Sequence, residues 1–428
     1  MPGLPGVTRS GIVSRRWVIL ALGLFAQAAA SSFLYGLPML IPQLRTELHL
    51  SLPAAGAVVA APALGLLLTL IAWGAVADRY GERWVIASGL ILATAFLLVS
   101  TQLGSVVALC VALALAGASA ASVNAASGRM VLGWFAAHER GFAMGIRQTG
   151  QPLGVAYAAI LLPPVASRWG LGVALAVPAV TCALLAALVA LFTLDPPRPA
   201  PSATAGSQRP PTPYRVLTLW RLHAASSMLV IPQFAVSGFS MVYLVGVRHW
   251  DPSAAGRVLF VAQLLGALGR IGSGIWSDRV ASRLRPMRQL AVASAAIMAA
   301  AALGDRYSSS WVVLVLVLGA VITVADNGLA FTSVAEIAGS SWAGRALGAQ
   351  NTAQNIAATL TPPLLGAVIS AHGYALGFSI AAVFPLLAIL LTPVADERRR
   401  AEAARNADLV SPADRPGRGT DASPSVAQ

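Results

Sequence analysis

Residues 74–83 read GAVADRYGER, and residues 274–283 read GIWSDRVASR. Each copy sets a glycine four residues ahead of an Asp-Arg pair and ends on an arginine, and the copies stand 200 residues apart. Both join one long apolar run to the next. An aspartate leaving a helix in such a place can accept backbone N–H bonds and meet the positive end of a facing helix. Whether the copies mark a duplicated unit depends on what else recurs at a similar spacing.

The chain has 428 residues, 57% hydrophobic and 11% charged, with a mean hydropathy of +0.73. Soluble chains keep about a quarter of their residues charged, so this composition means membrane. The apolar runs are continuous and near the ~20 residues a helix needs to cross the hydrocarbon core, whereas a transmembrane β-barrel would alternate in short segments. The fold class is therefore an all-α polytopic membrane protein. Twelve spans are expected, near residues 17–43, 53–76, 84–101, 105–128, 142–164, 171–194, 217–246, 255–276, 288–304, 311–334, 346–370 and 375–394. The first run exceeds a signal-peptide core and reads as a retained span.

The net charge of +13 is carried by arginine alone, 29 residues of it. Twenty-one crowd alternate loops and the two ends, against five (Arg45, Arg168, Arg248, Arg257 and Arg306) on the opposite side. That is the positive-inside pattern. It predicts a multi-pass protein of the inner (plasma) membrane with both termini in the cytoplasm, and no nucleic-acid partner. Cys110 and Cys182 lie within apolar runs as small buried hydrophobes and have no metal spacing. No Ser/His/Asp set or phosphate loop is present and the five histidines are scattered, so neither an enzyme nor a cofactor is expected.

Between spans six and seven, DPPRPAPSATAGSQRPPTPYR (195–215) is too rich in Pro, Ser and Arg to bury a core. The expected division is thus a six-span unit at 1–194, a flexible cytoplasmic linker at 195–216, a second six-span unit at 217–394 and a polar, disordered tail at 395–428 with a short helical start. A second recurrence supports duplication. Gly145-Ile-Arg147-Gln148-Thr149-Gly150-Gln151 parallels Gly348-Ala-Gln350-Asn351-Thr352-Ala-Gln354 at an offset of 203, and the same offset carries Asn124 onto Asn327.

The two loops resemble the G-x-x-x-D-R-x-G-x-R/K signature of the major facilitator superfamily, and the resemblance covers the whole chain: six spans, a long central loop, six spans, and the signature in both halves. It implies secondary transport by alternating access, with two pseudo-symmetric bundles rocking around a midplane site. It also implies a gating role for Gly74, Asp78, Arg79, Gly81 and Arg83, and for Asp278 and Arg279 in the second copy, where Ala281 replaces the glycine of position 81. Arg129, at the end of span four, reads as a partner for Asp78 or as a residue reaching to the interface.

Polar residues within spans are candidate functional groups. Asp326 lies about fifteen residues into span ten, roughly 22 Å along the helix. A carboxyl so deep suits a group that loads and releases a proton, or one that holds the half together through an arginine or Asn327. Arg147 lies about 8 Å inside span five, and Arg270 is similarly placed in span eight. Either could snorkel to the interface. Gln148, Gln151 and Gly154, however, share a face with Arg147, and Gln350, Asn351 and Gln354 form the matching face of span eleven. Such faces belong inward, and an arginine among amides suits a carboxylate or another small anion. Arg270-Ile-Gly-Ser-Gly-Ile-Trp-Ser-Asp278 resembles the span-eight arginine of monocarboxylate and oxalate/formate porters, which engages the substrate carboxylate. Tyr35 and Tyr243 could line the cavity or only pack.

Proton-coupled drug exporters carry an arginine four residues before a mid-span-four glycine; here Leu113 precedes Gly117. Their span-five motif is matched only loosely by Gly150-Gln151-Pro152-Leu153-Gly154-Val155. The expected function is therefore proton-coupled transport of a small organic anion, contacted by Arg147, Gln148, Gln151, Arg270, Asn124, Asn327, Gln350 and Gln354, with Asp326 as proton carrier. The partners would be that solute, H+ and the bilayer, and the carrier a monomer. Export of cationic or apolar compounds is the alternative, and a non-transporting membrane sensor a remote one.

Overall fold

The structure, a computed structural model, describes residues 9–50, 52–195, 212–339 and 341–410. Most of the expected linker (196–211) and the distal tail (411–428) lie outside the described residues. Among those described there are helices and no strands.

Ten helical segments are long and apolar enough to cross a membrane. The two expected spans that fall short of that apolarity are five and eleven. Span five is built from Arg140–Gln148 and Gly150–Trp169, and span eleven is Ala343–His372. Both are long enough in residues; what lowers their hydropathy is the row of amides and arginine that the repeat carries. Beyond span twelve the chain continues as a helix, Val394–Val410. The carboxylate of Glu397 on that helix accepts from the backbone N–H of Arg283 at 2.7 Å.

Three apolar cores account for the packing. One lies wholly in the first half and one wholly in the second. The third joins the halves: Leu20, Val131, Phe135 and Met144 meet Leu219, Leu222, Leu329 and Leu347. It sits at the end of the bundle that carries the two signature loops, and it closes that end.

Both signature loops work alike there. A Cβ on Gly74 would lie 2.3 Å from the carbonyl oxygen of Gly344, and one on Gly274 would lie 2.1 Å from that of Gly141. Only glycine admits such backbone contact between spans two and eleven, and between spans eight and five. Four residues on, Asp78 accepts from the N–H of Gly344 at 2.8 Å and of Arg345 at 3.1 Å. Asp278 accepts from Gly141 at 3.0 Å and Phe142 at 2.8 Å. These donors are in the first turns of their helices, where N–H groups have no intrahelical acceptor, so each aspartate caps a helix of the other half. The first copy turns at Gly81 with φ +97°, open to glycine; in the second, Ala281 turns with φ +48°, in the left-handed region that costs a Cβ-bearing residue.

Two spans expected to be continuous are interrupted. Span five turns at Thr149, whose N–H reaches back three residues to Ile146. The cause is Pro152, which has no N–H for the carbonyl of Gln148 four residues earlier. The equivalent in span eleven is Asn355, which keeps its N–H, and that helix runs unbroken. Span ten stops at Ile322 and restarts at Asn327, across Thr323, Asp326 and Asn327, side chains that compete for backbone bonds. Broken backbone within a span needs neighbours to satisfy it, and span eight supplies both. Arg270 Nη1 donates to Gln148 O at 2.6 Å, and Ser273 Oγ, one turn on, donates to Ala325 O at 2.5 Å.

Candidate functional site

Between the halves lies a cavity formed by spans one, four and five on one side and seven, ten and eleven on the other. The space open to water centres is about 60 Å³, enough for a few waters. Its walls are mostly amides: Gln27 and Asn124, Gln148 and Gln151, Gln233 and Asn327, Asn351, Gln354 and Asn355, with Tyr35, Phe234 and Phe331 between them.

Among the described residues Arg147 is the cavity's one lining arginine, and no aspartate or glutamate lines it. It is 2% exposed and does not snorkel. Nε donates to Ser127 Oγ at 2.9 Å and Nη1 to Gln148 Oε1 at 2.6 Å, while the guanidinium stands 5.9 Å from the ring of Phe331 in the other half. No carboxylate pairs with it among the described residues. Burying a cation without an anion is expensive, and the neutral oxygens and the aromatic face offset only part of that cost.

The other expected contacts divide into two groups. Asn124, Gln148, Gln151, Asn327 and Gln354 line the cavity with Arg147, as does Tyr35, whose hydroxyl donates to Asn355 Oδ1 at 3.3 Å. Arg270 and Gln350 do not line it. Arg270 is buried behind span five, holding the freed carbonyl of Gln148. Gln350 is fully buried and turned away, its Oε1 2.5 Å from His223 Nδ1 and its Nε2 donating to Ser226 Oγ. Tyr243 is also absent from the lining, packed edge-on against Tyr374 at 4.9 Å between ring centroids. The helical pattern placed Gln350 on an inward face, and the resemblance of span eight pointed to Arg270; whether inward means cavity or neighbouring helix depends on which spans stand opposite.

Asp326 is 3% exposed and sits at the break in span ten. It does not line the cavity, although its neighbour Asn327 does, donating to Gln233 Oε1 at 3.1 Å. Asp326 Oδ2 and Arg270 Nε are both buried without a hydrogen-bond partner, and the two groups lie within electrostatic reach of one another. No ion pair joins them at 4 Å or less among the described residues.

At the closed end, Arg129 pairs with Asp78 at 2.9 Å, at the end of span two, and also with Glu82, at the start of span three, so it is tied to the signature loop and does not reach to the interface. Arg83 donates to Ala190 O at 2.9 Å within its own half. Its counterpart Arg283 reaches Asp278 and, across the halves, Ala137 O. Arg79 and Arg279 are exposed.

Sequence reasoning missed Gln27, Gln233, Asn355 and His223. Gln27 and Gln233 were findable by the test applied to Gln151, an amide deep in an apolar run. His223 could not be told from the scattered histidines. It links Tyr214, whose hydroxyl lies 3.1 Å from Nε2, to Gln350, and thence through Ser226 to Gln354 in the cavity wall at 2.7 Å.

The Major Facilitator Superfamily model matches residues 20–362. The chain is 42% identical over 383 residues to the Uncharacterized MFS-type transporter Rv2994 of Mycobacterium tuberculosis, covering 89% of this chain and 86% of that protein. It is 23% identical over 363 residues to the Probable galactarate/D-glucarate transporter GudP of Bacillus subtilis, covering 76% and 80%. Among solved structures, the Escherichia coli fucose:proton symporter FucP superposes with a TM-score of 0.70 at 16% identity, covering 89% of this chain and 98% of that one. The human organic anion transporter MFSD10 gives 0.67 at 16%, covering 89% and 99%. At those identities the structural likeness speaks for the fold alone.

Proposed function

This chain belongs to the major facilitator superfamily, and on that premise we propose that it is a carrier that moves a small organic anion together with a proton by alternating access. One observation carries the reading: a buried arginine without a carboxylate partner faces a cavity whose other polar walls are neutral. A substrate carboxylate would supply the missing charge and accept from Nη2 and the remaining N–H of Nη1 of Arg147 in a bidentate bond. A cationic substrate would meet repulsion there, which counts against the efflux reading. GudP is named for galactarate and D-glucarate, both carboxylates, and that likeness agrees with an anion.

Asp326 is the proton carrier in this reading. Protonated, it leaves Arg270 on the carbonyl of Gln148 in the other half; ionised, it draws Arg270 toward itself and loosens that link between the halves. The caps made by Asp78 and Asp278 and the shared apolar core hold the signature end shut. By the arginine distribution that end and both termini are cytoplasmic, the membrane is the inner one, and a monomer suffices because the cavity lies within one chain.

The test is uptake of radiolabelled carboxylates into proteoliposomes with and without an imposed pH gradient. Wild type takes up a carboxylate faster with the gradient. Arg147→Gln abolishes uptake and Arg147→Lys retains part of it. Asp326→Asn loses the response to the gradient but keeps exchange of labelled for unlabelled substrate. Full uptake in Arg147→Gln, or dye transport with no carboxylate uptake, would overturn the proposal.

A further inference from the structure

We infer that Gln27 and Asn124 form a hydroxyl-binding subsite beside Arg147, so that the substrate is a hydroxylated carboxylate and not a plain alkyl acid; this rests on the organic-anion reading of the cavity. Gln27 comes from span one and Asn124 from span four, and both line the cavity. Gln27 Nε2 donates to Asn124 Oδ1 at 3.1 Å and, more weakly, to Ser31 Oγ at 3.4 Å. That arrangement leaves Gln27 Oε1, an acceptor, and Asn124 Nδ2, a donor, buried and without partners among the described residues. Gln27 is 5% exposed, so whatever meets these two atoms, a cavity water or the substrate group that displaces it, reaches them through the cavity.

Turning both amides over exchanges their roles and still leaves one acceptor and one donor, because each amide carries both. The pair therefore asks for a group that donates and accepts at one atom. A hydroxyl does this: its O–H donates to Gln27 Oε1 while its oxygen accepts from Asn124 Nδ2. A carboxylate cannot donate, an ammonium cannot accept, and a methylene does neither. Leaving such a pair unmet in a buried site costs roughly tenfold or more in affinity.

The subsite stands close to the cation. Ser127, which accepts from Arg147 Nε at 2.9 Å, lies three residues beyond Asn124 on the same helix, a rise of about 4.5 Å. A carboxylate on Arg147 thus places the hydroxyl of one of its first few carbons between Gln27 and Asn124.

The experiment measures binding to the purified full-length protein by isothermal titration, using D-gluconate against hexanoate and lactate against propionate. Wild type is expected to bind the hydroxylated member of each pair at least about tenfold more tightly. Gln27→Met, nearly isosteric, and Asn124→Leu should each reduce that ratio toward one while leaving the affinity for propionate within a few-fold. If Asn124→Leu does not fold, Gln27→Met carries the test alone. Equal affinities within each pair in wild type, with Arg147→Gln abolishing all of them, would overturn the hydroxyl subsite and leave the anion reading standing. An unchanged ratio in Gln27→Met would overturn it as well. No binding of any of the four acids would overturn both.

Discussion

Replacing Gly274 with alanine adds one methyl group, and the structure says where it must go. The new Cβ would lie 2.1 Å from the carbonyl oxygen of Gly141, whereas carbon and oxygen in contact stay about 3.3 Å apart. Spans eight and five must therefore separate by about 1 Å. Asp278 accepts from Gly141 and Phe142 at 3.0 and 2.8 Å, and a retreat of that size takes both bonds to about 4 Å, beyond hydrogen-bonding range. Overpacking a close contact costs about 1–3 kcal/mol. If the carrier works by the alternating access proposed above, this contact belongs to the closed arrangement alone, and the same energy enters the closed-to-open equilibrium, a shift of about 5- to 150-fold. The assay is labelling of Met144→Cys by a membrane-impermeant maleimide, in a chain whose Cys110 and Cys182 are alanine. Met144 is fully buried in the core that shuts the signature end, so labelling reports opening. Gly272 is the control: a Cβ there meets nothing within 4 Å. Gly274→Ala should raise the labelling rate by one to two orders of magnitude and Gly272→Ala by less than about twofold. Equal rates in the two variants would refute the reasoning.

Two further outcomes follow from the freed backbone and the buried amides. Arg270→Met leaves the carbonyl of Gln148 without a donor and should lower stability by about 1–3 kcal/mol, read as a fall in melting temperature; Pro152→Ala supplies the missing N–H and should recover most of that loss, whereas an equal loss in both backgrounds would show that Arg270 does something else. His223→Leu orphans Gln350 Oε1 behind the cavity wall and should destabilise by a similar amount, about 1–3 kcal/mol, while Trp84→Leu, at an exposed position (58% exposed), should leave the melting temperature within about a degree.

Much of this architecture was open to reading from the chain alone, and for local reasons. Membrane class, spans and the duplicated unit follow from hydropathy, arginine placement and motif recurrence, each a property of neighbours in sequence. Arg147, Gln148 and Gln151 were legible as an inward face because lipid tolerates no such row. The capping role open to Asp78 was legible because an aspartate at a helix exit has few other uses, although the helix it caps was not.

What only tertiary structure decided is which inward group meets which. Arg147 and Arg270 lie equally deep in their spans, and depth alone allows either one to face the cavity. Pro152 separates their fates: it removes one N–H from span five, the freed carbonyl of Gln148 takes Arg270, and Arg147 is left at the cavity. Gln350 and Gln354 are four residues apart on one helix face, yet His223 takes the first while the second lines the cavity. Gln27 and Asn124, 97 residues apart, acquire a joint meaning only when spans one and four lie side by side. Periodicity reports the direction in which a side chain leaves its own helix; hydrogen-bond partners are set by the opposing helix, and a single chain read in one dimension does not contain that pairing.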